Sequence, residues 1–387
     1  MNDDTNQNAA AEIGKMRIPY PLRRVPLTEF SALLPLPEQP RSGDIALARV
    51  EKIGRNARLE LVNGRAATLH EGDLIAVVFG NRYASEQFEA YAKVRGDCCD
   101  LLSMAGLCGL VESKHASMAE PTKLRLLGSL GDKRLRPLRL RDFHLPQVPM
   151  PGAPTVVVVC GSSMDAGKTY TAMSVVFGLK QAGQSVAAIK LTGTASGRDT
   201  WSLLDAGATP ALDFIDAGFP STYLCRLDEL LKLYQLLLAH AAGQGADTVV
   251  IEIADGLLQQ ETSALLQSPA FVGTVDHWIF ATGDPLGAAG GIQMLRSWGI
   301  QPLAISGVIS MSPLAMREAR AVTGIKCLTA KELQTGALNP DLKQQSGKET
   351  HRARNGRSVA RATDRAGYAP LSITSLVPLM KDTAASA

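Results

Sequence analysis

No apolar run in the chain approaches the roughly 18 residues that a membrane-spanning helix requires. The first residues are rich in Asn and Asp and lack the apolar core of a secretory signal. The expectation is a soluble, cytoplasmic protein with no membrane partner. Charge of one sign is scarce as well. Against 37 Asp and Glu stand 40 Lys and Arg, a formal net charge of +3, too small to argue for nucleic acid or an anionic lipid surface. The six cysteines, Cys98, Cys99, Cys108, Cys160, Cys225 and Cys327, contain one close pair, and that pair is adjacent. Such spacing excludes a zinc-finger ligand set and reads as reduced thiols. What remains is a 387-residue chain, 45% apolar and 20% charged, with the composition of a globular protein and length for two domains.

The most informative stretch begins at Val156. Four consecutive valines, Val156 to Val159, read as a strand buried on both faces of a parallel sheet. Gly161-Ser162-Ser163-Met164-Asp165-Ala166-Gly167-Lys168-Thr169 follows, and Tyr170 to Lys180 reads as a helix. Strand, Gly-rich loop, Gly-Lys-Thr and helix together form a phosphate-binding loop. Loop amides and the helix N-terminus offer N–H donors to an anion. Lys168 supplies a mobile charge for the β/γ-phosphates, Thr169 a hard oxygen suited to Mg²⁺, and Gly167 lets backbone approach phosphate closely.

Around this stretch the chain divides into five parts. Residues 1–42 are a flexible, Pro-rich lead-in with prolines from Pro19 to Pro40. Residues 43–145 alternate with period two and carry turn signals at Asn63-Gly64 and Glu71-Gly72-Asp73, which predicts a small β-rich domain. Arg82 and Tyr83 fall on a loop of that domain, where they either shape a turn or reach a substrate held against the phosphate loop. Ser113-Lys114-His115 has the look of a polar site. Cys99 to Val111 is apolar and reads as strand or buried helix. Residues 146–154 are a stiff Pro-rich linker. Residues 155–342 alternate strand and helix, which predicts an α/β nucleotide-binding domain with a parallel sheet and helices on both faces. Residues 343–387 are a basic, flexible tail.

Two further places in the α/β part carry chemistry. Lys190 ends the second strand and opens a polar loop through Ser196, Arg198 and Asp199, at the strand end where open α/β sheets bind ligands. Glu252 ends an apolar strand downstream of the phosphate loop, with Asp255 close behind. That is the position of the carboxylate that orients Mg²⁺ or its waters. Asp205, Asp213 and Asp216 are candidates for helix caps or a further Mg²⁺ contact. The strand Pro302–Ser310 follows later.

Residues 155–330 resemble dethiobiotin synthetase through four motifs in the same order. They are Gly161 to Thr169, with five residues between Gly161 and Gly167; Lys190 followed by Ser196-Gly197; Glu252-Ile253-Ala254-Asp255-Gly256-Leu257; and Leu286-Gly287, a helix, and Gly307-Val308-Ile309-Ser310. The resemblance implies ATP and Mg²⁺ as cofactors. It implies catalytic roles for Lys168, Lys190 and Glu252, and metal contacts from Thr169, Glu252 and Asp255. Nucleotide would lie along Gly161–Thr169 with Ser310 at its base, and substrate at Lys190, Ser196, Arg198 and Asp199. The departures are Leu191 where that family has Pro, Asp255 where it has Gly, Ser310 where it has an adenine-reading Asn, and the added β-rich part. The chain is therefore not expected to be a dethiobiotin synthetase itself.

The main expectation is an Mg-ATP-dependent enzyme, ligase-like or phosphoryl-transferring, that activates a small carboxylate-bearing substrate. The alternative is a nucleotide-dependent switch or adaptor, using ATP or GTP, that binds a macromolecule. No guanine-reading Asn-Lys-x-Asp string occurs, which weighs against a GTP switch. The expected partners are a nucleotide, a small-molecule substrate and, in a homodimer, a second copy.

Overall fold

Period-two alternation, strict in only some of its strands, marks the first sheet. Its strands are β1 (Ala32–Leu34), β2 (Ile45–Lys52), β5 (Leu74–Phe79), β6 (Phe88–Tyr91), β7 (Cys98–Leu101), β8 (Leu107–Lys114) and β9 (Thr122–Gly131); the hairpin β3 (Arg58–Glu60) and β4 (Ala66–Thr68) stands apart. The order is β1-β9-β2-β5-β8-β6, with β7 pairing β8 and β9. In β9 the rule is plain: Leu124 and Leu126 are buried while Lys123 and Arg125 between and beside them are exposed. The turn of the β3–β4 hairpin contains Asn63-Gly64, as its sequence predicts. The apolar stretch from Cys99 to Val111 resolves into strands β7 and β8.

The computed structural model describes residues 11–343, all within one compact unit, Met1–Lys343. The expectations for residues 1–10 and for the tail from residue 344 lie outside the described residues. The rest of the lead-in is not loose, which corrects the sequence reading. Tyr20 and Leu22 are each 1% exposed. Arg23 Nη2 lies 2.8 Å from both Asp213 Oδ1 and Asp216 Oδ2, and the Tyr20 hydroxyl donates to Asp213 Oδ2 at 2.9 Å. The prolines set short helical turns here instead of an extended chain, and the buried ion pairs pin those turns to the α/β part. Asp213 and Asp216 are thereby committed to the lead-in; Asp205 ends a helix at the surface.

The second sheet alternates with helices: β10 (Thr155–Gly161), α1 (Lys168–Gln181), β11 (Val186–Lys190), α2 (Gly197–Asp205), β12 (Ala211–Asp213), α3 (Leu227–Gly243), β13 (Thr248–Glu252), α4 (Gln260–Leu266), α5 (Pro269–Val272), β14 (His277–Ala281), α6 (Pro285–Ser297), β15 (Ala304–Ser306), α7 (Pro313–Thr323), α8 (Ala330–Gln334) and α9 (Asn339–Lys343). All its pairings are parallel, in the order β12-β11-β13-β10-β14-β15. Val157 and Val159 face one buried cluster with Leu179 of α1 and Leu203 of α2; Val156 and Val158 face another with Leu237 of α3 and Leu295 of α6. Helices therefore cover both faces, which is why the valine run does not alternate with polar residues. This is an α/β P-loop NTPase fold preceded by a β-rich sheet.

β11 is not next to the phosphate-loop strand: β13 lies between β11 and β10, because long crossover connections let the chain skip a position that local sequence does not encode. Residues 145–154 carry no helix or strand, yet the sheets they join are not independent. One buried cluster holds Leu47 and Val78 of the first sheet, Tyr20 of the lead-in, and Val158, Ile189 and Ile251 of the second. Among the described residues no helix is long and apolar enough to cross a membrane.

Candidate active site

The phosphate loop runs from Gly161, the last residue of β10, to Lys168, the first of α1. Gly167 has φ +89°, and a Cβ there would lie 2.9 Å from Gly307 Cα. Gly307 has φ +94°, and its Cβ would lie 2.2 Å from Ala166 O. No other residue type fits either position. The Val308 N–H donates to Ala166 O at 3.1 Å, so the turn leaving β15 is the seat of the loop. This turn also places Ser310. The strand expected to reach it stops at Ser306, and Ser310 lies in a helical turn where its hydroxyl donates to Gly307 O at 2.7 Å. It does not line the cavity described below.

Inside the loop, Lys168 Nζ donates to Ser163 O at 2.5 Å. Burial lowers its pKa, with Glu252 opposing; an ammonium so placed gains by meeting an anion. The Thr169 hydroxyl donates to Glu252 Oε1 at 2.8 Å, and Lys190 Nζ approaches the same oxygen at 3.2 Å. Lys190 also pairs with Asp199. Burial works against the Lys190 charge, but the two carboxylates outweigh it and hold the ammonium firmly protonated. Glu252 Oε2 is buried and has no hydrogen-bond partner. Asp255 sits at φ +61°, an uncommon conformation for a residue with a side chain. Burial pushes its carboxyl up to about 6, against the pull of Lys168 and Lys190.

These groups line a cavity of about 470 Å³ whose opposite wall comes from the first sheet. Arg82, on the loop after β5, is 8% exposed. Its Nη2 donates to Gln87 Oε1 at 2.7 Å, while Nε and Nη1 are buried without partners. Burial, with Arg55 adding to it, lowers its pKa to about 10, although Asp255 draws it up. Orphaned buried donors cost about 1–3 kcal/mol each, more when charged. Tyr83 lines the cavity beside it, and burial together with Asp255 raises its pKa.

The structure thus brings Lys168, Thr169, Lys190, Asp199, Glu252 and Asp255 to one cavity, with Met164, Asp165 and Gly167 of the loop. Arg198 also lines it, exposed and in no ion pair among the described residues; Asp199 takes Lys190 as its partner. Ser196 is displaced. It stands at the start of α2 without a capping bond, and Thr194 and Ser202 line the cavity in its place. The bond that caps α2 comes from the β3–β4 hairpin, where Glu60 Oε2 accepts the Gly197 N–H at 2.9 Å. Glu60 had no signal in the sequence. Tyr170 and Met173, also in the lining, follow Gly-Lys-Thr directly and were legible as its neighbours.

No family model matches the chain, and no curated protein matches it. Among solved structures it is similar to the signal recognition particle 54 kDa protein from Aeropyrum pernix in complex with GDP, at 19% identity and TM-score 0.35, over 57% of this chain and 55% of that one. It is also similar to the signal recognition particle receptor FtsY from Elizabethkingia anophelis. The complex of that receptor with GDP gives 13% identity, TM-score 0.36, and coverage of 51% and 64%. A second FtsY structure gives 18%, 0.29, and coverage of 41% and 52%. The chain spans about half to two thirds of the length of these structures, and its P-loop fold rests on its own strand order and loop geometry.

Proposed function

We propose that this chain is an Mg-ATP-dependent enzyme that transfers a phosphoryl group to, or otherwise activates, a small carboxylate-bearing acid held between the phosphate loop and Arg82. The observation that carries this reading is the buried Arg82 guanidinium, two of whose nitrogens lack partners at the wall facing the loop. A cavity with a phosphate loop on one side and an unsatisfied guanidinium on the other is suited to two anions at once. Arg is the residue for gripping a planar carboxylate through two parallel bonds.

The residues fit Mg²⁺. The Thr169 hydroxyl and the carboxylates of Glu252 and Asp255 are hard oxygen donors, and Glu252 Oε2 is an orphaned buried acceptor. Mg²⁺ when bound supplies neutralisation of charge on the transferring phosphoryl group. The chain's own groups do the rest. Loop amides hold the phosphates, and Lys168 exchanges Ser163 O for a phosphate oxygen. Lys190, kept protonated by Asp199 and Glu252, presents fixed positive charge where negative charge develops. Arg82 and Arg198 would orient the acid, whose carboxylate oxygen would bond to the γ-phosphorus as the bond to the β-phosphate oxygen breaks, giving an acyl phosphate and ADP held by the loop.

The test is nucleotide turnover with small carboxylic acids added one at a time. An acid that stimulates turnover in the parent chain, and fails to do so in Arg82→Ala with nucleotide affinity retained, supports the reading. A nucleotide-dependent switch is the second reading, favoured by the seating of the phosphate loop on the Gly307 turn, which would pass a change at the phosphates to α7. It expects slow turnover indifferent to every acid, with ATP and GTP compared side by side.

A further inference from the structure

Helix α2 carries two of the groups that line the cavity, Arg198 and Asp199, in its first turn. Asp199 pairs with Lys190, so the placement of α2 bears on the placement of the Lys190 ammonium. A helix start is ordinarily capped by the side chain of its own N-cap residue. Ser196 occupies that position with extended backbone, φ −159° and ψ 118°, yet its hydroxyl makes no capping bond. The acceptor comes from 137 residues upstream, from Glu60 at the end of β3, which is 8% exposed. Burial raises the pKa of Glu60; the N–H groups of Gly197 and Arg198 oppose this, and the Asp199 charge adds to it. Two carboxylates therefore meet one helix start and take different partners. Glu60 takes the amides and Asp199 takes the Lys190 ammonium.

The hairpin and the lead-in press closely on this turn. A Cβ on Gly197 would lie 2.8 Å from Glu60 Oε1, 2.8 Å from Tyr20 Cδ2 and 2.9 Å from Trp201 Nε1. A Cβ on Gly64, at the hairpin tip, would lie 3.1 Å from the same Trp201 nitrogen. The Tyr20 and Trp201 rings meet edge to face at 6.1 Å. Trp201 Nε1 is buried in this contact without a hydrogen-bond partner, and an unpaired buried donor costs stability. A cap that served stability alone would need only the Ser196 hydroxyl. The arrangement present instead ties the first turn of α2 to a fixed point outside the α/β part.

We propose that Glu60 is a positioning residue for phosphoryl transfer: by holding the first amide of α2 it sets Asp199, and through Asp199 the Lys190 ammonium, where the transferring phosphoryl group passes. The inference rests on the phosphoryl-transfer reading above and gives the β3–β4 hairpin a part in that site. The full chain with Mg²⁺ is titrated calorimetrically with a non-hydrolysable ATP analogue, with ADP, and with ADP plus aluminium fluoride, which stands in for the phosphoryl group in transit. The parent chain is expected to bind ADP at least about tenfold more tightly when aluminium fluoride is present. Glu60→Ala should lose that gain while its affinity for the ATP analogue stays within about twofold of the parent value. Glu60→Gln, which keeps an acceptor for the Gly197 N–H, should retain the gain. Asp199→Asn should lose it, and adding Glu60→Ala to Asp199→Asn should cost nothing more, because both act through Lys190. Should Glu60→Ala fail to fold, Glu60→Asp, which draws the acceptor back by one methylene, takes its place with the same expectation. A gain that survives loss of the acceptor, an equal loss of the ATP analogue and of the aluminium fluoride complex, or losses that add in the double variant each overturns the inference. Failure of the parent reading looks different, since it shows in the unmutated chain: the ATP analogue does not bind, or aluminium fluoride brings no gain, and the inference falls with it.

Discussion

Lys190 and Arg82 face one cavity from opposite walls, and their surroundings differ in kind. Lys190 has two carboxylates against its ammonium, one of them 2% exposed. Arg82 has an amide oxygen for one nitrogen, the Phe88 ring 5.7 Å from its central carbon, and no hydrogen-bond partner for the other two nitrogens. The first is a finished electrostatic assembly that needs no ligand to be satisfied. The second is an unfinished one, stable in the fold only because its neighbours hold it there. The contrast separates a group that shapes the field of a site from a group that waits for a ligand. A buried pair broken from one side costs far more than an unpaired charge removed.

The largest expected effect tests that contrast directly. Lys190→Met leaves Glu252 and Asp199 without their cation and should cost about 3 kcal/mol of folding stability, the lower end for a buried pair because Asp199 is partly exposed. Arg82→Met removes an unsatisfied charge and should leave stability unchanged or raise it. Urea denaturation of both variants measures this, and equal losses would erase the distinction. Next comes Lys168→Ala, a third cation, bound only to a backbone oxygen. It should weaken nucleotide binding by about 100-fold, close to 3 kcal/mol at about 1.4 kcal/mol per decade, with the melting temperature nearly unchanged. Parent-like affinity by calorimetry contradicts the role of the loop.

A smaller effect is expected at Glu252→Gln. Thr169 keeps its acceptor, but the free buried oxygen loses its charge, so the Mg²⁺ concentration for half-maximal nucleotide binding should rise by about tenfold. An unchanged titration would pass the metal role to Asp255. The smallest effect lies outside the cavity and serves as a reference. His277, at the start of β14, is 2% exposed, and burial lowers its pKa below 6.5. The unfolded chain therefore takes up this proton before the folded one does. The contribution of His277 to stability is complete above pH 6.5 and falls away as the pH drops below it. His277→Phe should flatten the stability profile between pH 7 and 5; a profile as steep as that of the parent chain assigns the dependence to other groups.

What was legible in the sequence was what is local. The loop from Gly161 to Thr169 is contiguous, and Glu252 announces itself as the polar end of a buried strand. Strand order was not legible: Lys190 and Glu252 meet because β13 is inserted beside β11, a choice made by crossovers whose sequences do not record it. Arg82 could be singled out as a polar residue on a loop, but its missing partners became visible only when Gln87 and Asp255 were in place. The packed lead-in was hidden for another reason. Its prolines read as loose chain, while the contacts that fix Arg23 lie about 190 residues away at Asp213. The end of the last strand was misjudged in the opposite sense. A family motif was carried one turn too far along a strand that stops at Ser306.

The seating of Ala166 and Gly167 on Gly307 bears on how this protein can be cut and recombined. The motif from Gly161 to Thr169 looks like a portable cassette, complete within one strand, loop and helix. Its floor, however, is laid about 140 residues later, after five more strands of the same sheet have been placed. A truncation ending at α6 would keep every residue of the motif and lose the surface that shapes it. Grafting the loop into another scaffold succeeds only if a glycine turn is grafted opposite it, so the unit of inheritance for this site is a pair of glycines and not a string of nine residues.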